Sequence, residues 1–194
     1  MSETFEEKLA RVSAERVEIV PYDPAWPTRF EAEKAHLLAT LPAGLLRRIE
    51  HFGSTAVPGL MAKPIVDLLI EVSDLEETRR VAPDLLSSPT YDYFWRPTHG
   101  DDGPPFYAWF IKRDPGTGQR THHLHLIDAS FTGHWDRLLF RDYLREFSEV
   151  SAEYAAMKLR LSREFPGDRN AYTEAKGEFI EAVTERARQR YRRS

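Results

Sequence analysis

Eight residues, Ile65–Val72 (IVDLLIEV), constrain this chain more than any other stretch. In a strand the side chains alternate. Val66, Leu68, Ile70 and Val72 then share one face, and Ile65, Asp67, Leu69 and Glu71 share the other. Both faces are apolar apart from the acids, the pattern of a central strand covered on both sides. A lone carboxylate in such a strand is costly to bury unless something satisfies it. Asp67 therefore either has protein donors or holds a metal or a substrate group.

The turn upstream sharpens that choice. In HFGSTAVPGLMAKP, residues 51–64, a strand end runs into Gly53-Ser54-Thr55. Glycine admits close backbone approach, and consecutive N–H groups with hydroxyls make an anion pocket. An ordinary strand-to-helix turn with a hydroxyl cap explains the tripeptide equally well. The pairing of this turn with Asp67 is what points to a ligand. His51 stands beside the turn and Lys63 just before the strand. Each is a candidate phosphate contact, with a hydrogen-bonded structural histidine and a solvated lysine as the alternatives.

Further segments carry a resemblance. Tyr22-Asp23-Pro24-Ala25-Trp26, the stretch from His51 to Val72, His123-Leu124-His125, Phe140-Arg141-Asp142-Tyr143-Leu144 and Tyr172…Lys176…Phe179-Ile180 occur in order. Together they resemble the GrpB family over Val17 to Val183. The resemblance implies the nucleotidyltransferase fold of the polymerase-β type, in which a Gly-Ser turn binds the triphosphate and strand acids hold divalent metal. It also implies kinship with a domain fused to dephospho-coenzyme A kinase in some bacteria. The superfamily pattern places a second acid two residues after the first, where this chain has Leu69. Glu71 lies about 13 Å along the strand from Asp67, whereas metals sharing a site lie about 3.5–4 Å apart. The usual two-metal site is therefore incomplete.

Composition excludes several classes. Lys and Arg number 27 against 31 Asp and Glu, a formal charge of −4, which gives no case for general nucleic-acid binding. The absence of cysteine rules out disulfides and thiolate metal sites. The opening MSETFEEKLARVSAER is acidic, with no apolar run like a signal peptide. No segment approaches the roughly 20 apolar residues of a membrane span. A cytoplasmic location is the default expectation.

In chain order, residues 1–16 read as a flexible arm and 17–194 as one domain, with 131–190 its helical C-terminal part. Val17–Val20 alternates like a short edge strand. Asp23 through Thr28 reads as a helix start, with Tyr22 and Trp26 packing there and Phe30, Leu37, Leu38 and Leu41 on one face. Leu45–Phe52 is a strand, and Asp74–Leu86 a helix that Pro83 distorts or ends. Tyr91–Arg96, Phe106–Lys112 and Arg120–Ile127 are strands, the last two joined by the turn at Asp114–Gly118. The loop PTHGDDGPP carries Asp101 and Asp102 as possible metal ligands. On the last strand His123 and His125 share a face, a spacing that permits joint metal binding or pairing with an acid, while His122 points away.

Helices then follow over Phe131–Phe147, along the stripe Val150, Tyr154, Met157, Leu161, Phe165, and after a cap at Asp168. Arg137, Arg141 and Arg145 form a stripe that suits a polyphosphate or a solvated face. Lys176 sits on an apolar side and must snorkel, pair or meet a ligand. The expected fold is a nucleotidyltransferase-like mixed sheet of about five strands, with one helix between the first strands and three at the C-terminus. The expected ligand is a nucleotide or another small phosphate-bearing molecule. Gly53, Ser54 and Thr55 would hold its phosphate and His51, Lys63, Arg141, Lys158 and Lys176 would surround it. Asp67, His123 and His125 would act on it or hold magnesium or manganese. The alternative is an accessory binding module without a working metal pair.

Overall fold

The computed structural model describes residues 4–87, 90–97 and 105–192. Asp101 and Asp102 lie outside them. Helix α1 (Phe5–Ser13) and helix α2 (Trp26–Thr40) precede strand β1 (Leu46–Phe52). A single 3-10 turn over Ser54–Ala56 leads to β2 (Val66–Val72), then come α3 (Leu75–Leu85), β3 (Tyr91–Pro97), β4 (Phe106–Arg113) and β5 (Arg120–Ile127). Helices α4 (Thr132–Glu146), α5 (Ser148–Glu164), α6 (Arg169–Glu174) and α7 (Gly177–Tyr191) complete the chain. The five-stranded sheet has the order β1-β2-β5-β4-β3. Strands β2 and β5 are parallel neighbours and the other pairs are antiparallel. The expected mixed sheet and helical C-terminal part are both present.

The alternation of β2 builds two layers. Val66, Leu68, Ile70 and Val72 join Leu124, Leu126, Ala108 and Phe110 under Trp26, Phe30 and Leu37 of α2 and Ala82 of α3. On the opposite face Leu69, Trp109, Ile111 and Ile127 meet Val12 of α1 and Leu138 of α4. Asp67 and His123 belong to this second face. The C-terminal helices form a cluster of their own around Phe140, Leu144, Val150, Tyr154 and Val183, which reaches Val57 and Leu60 beyond the Gly-Ser turn.

Several local expectations change. Within the expected arm, Phe5–Ser13 is a capped helix: Thr4 and Glu7 make a reciprocal capping box, and Val12 is buried. Val17–Val20 contributes one isolated bridge, Val20 to Ala62, because the sheet edge is taken by β1. Leu38 is 55 % exposed, one step off the buried stripe of Trp26, Phe30, Glu33 and Leu37. Pro83 sits in the last turn of α3, where few hydrogen bonds remain for it to break. The helix expected after Asp168 is two helices, broken at Ala175-Lys176 ahead of the weak helix former Gly177.

Glu33 is a buried acid on α2, only 2 % exposed. Tyr91 donates its hydroxyl to it at 2.7 Å, and the Lys112 ammonium closes the pair. Glu33→Ala leaves both partners unsatisfied, and we expect a loss of about 3 kcal/mol in urea unfolding. A loss below about 1 kcal/mol would show that solvent satisfies them.

Candidate functional site

The turn between β1 and β2 is shaped around Asp67. Gly53 has φ +72 and ψ −171, a conformation that only glycine adopts without strain. It also leaves room that a side chain would fill: a Cβ there would stand 2.5 Å from Asp67 Oδ2. The glycine expected to admit a ligand's phosphate thus makes space for the carboxylate.

Parallel pairing places His123 of β5 directly beside Asp67, at register Asp67↔His123. The imidazole Nδ1 lies 3.1 Å from Asp67 Oδ1, and its Nε2 lies 3.4 Å from Arg120 Nη1. A guanidinium can only donate, so Nε2 accepts and Nδ1–H donates to the carboxylate. Burial lowers the His123 pKa to about 4 in spite of Asp67, so the ring is neutral at physiological pH. With both nitrogens engaged, His123 positions Asp67 and does not act as a free base. Arg120 is held in turn by Glu15 at 2.5 Å and by the Val12 carbonyl. Glu15 also pairs with Arg113 at 2.8 Å and lies 3.8 Å from Arg169. A chain of contacts therefore runs from the end of α1 to Asp67.

Amines surround the carboxylate. Lys158 of α5 is 2 % exposed and donates to Ser54 Oγ at 3.0 Å and to the Met61 carbonyl. Lys63 and Lys176 stand 5.1 Å and 4.4 Å from the centre of one ring, that of Tyr172. Among the described residues none of the three lysines forms an ion pair with an acid. Burial lowers the pKa of Lys158 to about 7 and, with Asp67 opposing, that of Lys176 to about 8. Lys63 is driven well below its ordinary value by burial and by the charge of Lys176. Asp67 keeps 24 % of its side chain exposed, so one side of the carboxylate is open to solvent.

Other expected residues lie elsewhere. Thr55 is buried, and its hydroxyl faces inward to His51 Nε2 at 3.0 Å. His51 stacks on Phe30 at 4.9 Å, and burial lowers its pKa to about 4. Both are struts of the turn. Arg141 is spent on Glu50 at 3.0 Å, the His51 carbonyl at 2.8 Å and Asp142 at 2.7 Å, which fastens α4 to β1. Arg145 caps the Ala56 carbonyl at 2.7 Å. His125 shares a face with His123 but opposes Leu69 in the register. It is boxed by Phe52, Tyr107 and Trp109, with burial holding it neutral.

The donor set is a poor fit to magnesium or manganese. Among the described residues no three His, Asp or Glu side chains are grouped to hold an ion. The one carboxylate already accepts from His123 and sits among lysines whose charge opposes a cation. Sequence reasoning named the amines but missed Tyr172 as the shared platform of Lys63 and Lys176, and it missed Glu15 and Arg120. The signal for Tyr172 was present in its spacing from Lys176, four residues on. Gly53→Ala meets both the strained backbone and the carboxylate, and we expect a loss of about 3 kcal/mol in thermal or urea unfolding. A loss below about 1 kcal/mol would mean that Asp67 moves aside freely.

Comparison with known proteins identifies relatives of the whole chain. The family model described as GrpB protein matches residues 16–186. A UPF0157 protein of Pseudomonas aeruginosa is 39% identical over 183 residues, covering 93% of this chain and 72% of that one. The crystal structure of conserved protein GrpB from Enterococcus faecalis superposes with a TM-score of 0.74 at 30% identity, over 90% of this chain and 99% of that one. Dephospho-CoA kinase of Mycolicibacterium paratuberculosis is 28% identical over 192 residues, so this chain spans 46% of that protein's length. With the family model matched along nearly all of its length, the chain belongs to the GrpB family.

Proposed function

We propose that the chain binds a small phosphate-bearing ligand, a nucleotide or coenzyme precursor, in the cleft above Asp67, without a divalent metal. The observation that carries this reading is the set of acid-free amines, Lys63, Lys158 and Lys176, gathered at Ser54 and Tyr172. Holding unpaired amines in a desolvated cleft is unfavourable, and an anion relieves it by restoring their charged form. The similarity to a dephospho-CoA kinase supports a coenzyme precursor as the ligand class. Asp67, fixed by His123, then serves as the acceptor for a ligand hydroxyl or amine beside the phosphate.

Sulfate tests this reading, because it does not titrate near neutrality. The binding form of each amine is the protonated one. Affinity is therefore full only well below 7 and falls as pH rises through the Lys158 and Lys176 values of about 7 and 8. Calorimetry at pH 6.5 and 9 should show a loss on the order of tenfold if Lys176 must be charged and approaching a hundredfold if Lys158 must be. EDTA should leave binding unchanged, and Lys176→Met should weaken it at pH 6.5. Affinity that is flat with pH and abolished by EDTA would replace this reading with a metal-dependent one.

The coenzyme class is tested separately, by thermal shift with dephospho-coenzyme A and with nucleoside triphosphates. Stabilisation by mass action is expected with at least one of them, without added metal. Sulfate binding with no shift from any would keep the anion site and remove the nucleotide.

A further inference from the structure

The same sheet face carries a second group of cations that the lysine cleft does not use. Arg96, near the end of β3, lies with its guanidinium carbon 4.9 Å from the centre of the Trp109 ring. Arg137 of α4 lies 5.7 Å from the Phe52 ring. Among the described residues neither has a carboxylate partner or a hydrogen bond, whereas Arg113, Arg120, Arg141 and Arg188 each have an acid. Burial depresses the Arg137 pKa; Asp67 draws its charge and Arg96 repels it, so these three groups are electrostatically close.

Two buried polar atoms in the same patch also lack partners: Trp109 Nε1 and His125 Nδ1. Their residues are 8 % and 9 % exposed, and their rings stand 6.1 Å apart. Buried polar groups are nearly always satisfied, so unsatisfied ones beside acid-free guanidiniums mark a place where something is missing. An indole N–H and two guanidiniums are donors only, and the missing partner is therefore an acceptor.

Register gives the spacing. Trp109 pairs with His125, which is two residues beyond His123 along β5. Trp109, with Arg96 over it, is thus displaced by about 6.6 Å along the strands from His123, whereas Arg137 lies over Phe52, the register partner of Asp67 itself. Lys63 precedes β2 and lies on the opposite side of Asp67. One ligand can bridge the two cation groups across Asp67, with the Arg96 and Arg137 guanidiniums, each resting on the face of a buried ring, at its far end.

We propose that Arg96 and Arg137 form a second anion subsite, so that the ligand of this cleft carries two acidic groups, one at each end. The proposal deepens the reading of the lysine cleft as a phosphate site and rests on it. Guanidiniums on aromatic faces suit a phosphate or carboxylate, which they bind with two parallel hydrogen bonds.

Methylphosphonate and a series of alkane-1,n-bisphosphonates test it by calorimetry at pH 6.5. The monophosphonate reports the lysine end alone. A bisphosphonate of suitable spacer should bind about ten- to a hundredfold more tightly, the factor expected of one or two charge-assisted hydrogen bonds. Arg137→Gln and Arg96→Gln should each erase most of that gain and leave methylphosphonate binding intact, which also shows that the variants fold. Lys176→Met should weaken both probes. If methylphosphonate binds through the lysines but no spacer improves on it, the second subsite is refuted and the first stands. A gain that survives Arg137→Gln and Arg96→Gln also refutes it. If no phosphonate binds, both readings fail. A parallel series of ω-carboxyalkylphosphonates separates a carboxylate from a phosphate at the arginine end.

Discussion

The hydrogen bond from His123 to Asp67 is the contact on which the site depends. It exists because β2 and β5 are parallel neighbours in a register that sets Asp67 against His123. It leaves the carboxylate fixed in direction, with one edge against Gly53 and one side open to the cleft. The imidazole is itself fixed from behind by Arg120, and Arg120 by Glu15. A lone charge on a covered sheet face is thereby made tolerable by a line of partners that ends on the first helix. Each link removes a cost that the next residue inward would otherwise carry.

Charge balance decides what this arrangement can hold. Several buried or half-buried arginines elsewhere on the chain are matched with acids, as at Glu15, Glu50 and Asp92. Around Asp67 the match fails, for three lysines and two nearby arginines have no acid among the described residues. A site for divalent cations shows the opposite imbalance, with several oxygen donors and few amines. The chain keeps the fold expected from its resemblance to nucleotidyltransferases, while Leu69 stands where a second acid would complete their metal pair. The groups around Asp67 therefore carry an excess of cations over acids.

The elements were legible where a local pattern determined them. An apolar run marked β2, aromatic richness marked β4 and the turn at Asp114–Gly118 marked β5, all nearly to their ends, and Asp67 stood out as the odd residue in its run. Its partner was not legible, since only strand order decides whether His123 or His125 reaches it. The same non-locality misdirected the reading of Arg141, whose acid Glu50 lies on β1, and of Thr55, whose hydroxyl turns in to His51. Arg96 and Arg137 drew little notice because an arginine without its acid looks, in a sequence, like any other. Lys176 was visible because a lysine on an apolar helical face has few explanations.

We infer that Lys158 and Lys176 are partly uncharged at neutral pH in the free protein and become charged when an anion binds. NMR detection of the lysine Nζ resonances, assigned with Lys158→Arg and Lys176→Arg, tests it without assuming any ligand identity. The account predicts that Lys158 and Lys176 titrate near 7 and 8 in the free protein and shift upward toward the ordinary 10.5 when sulfate is added. Titration of both near 10.5 in the free protein, unmoved by sulfate, would contradict it.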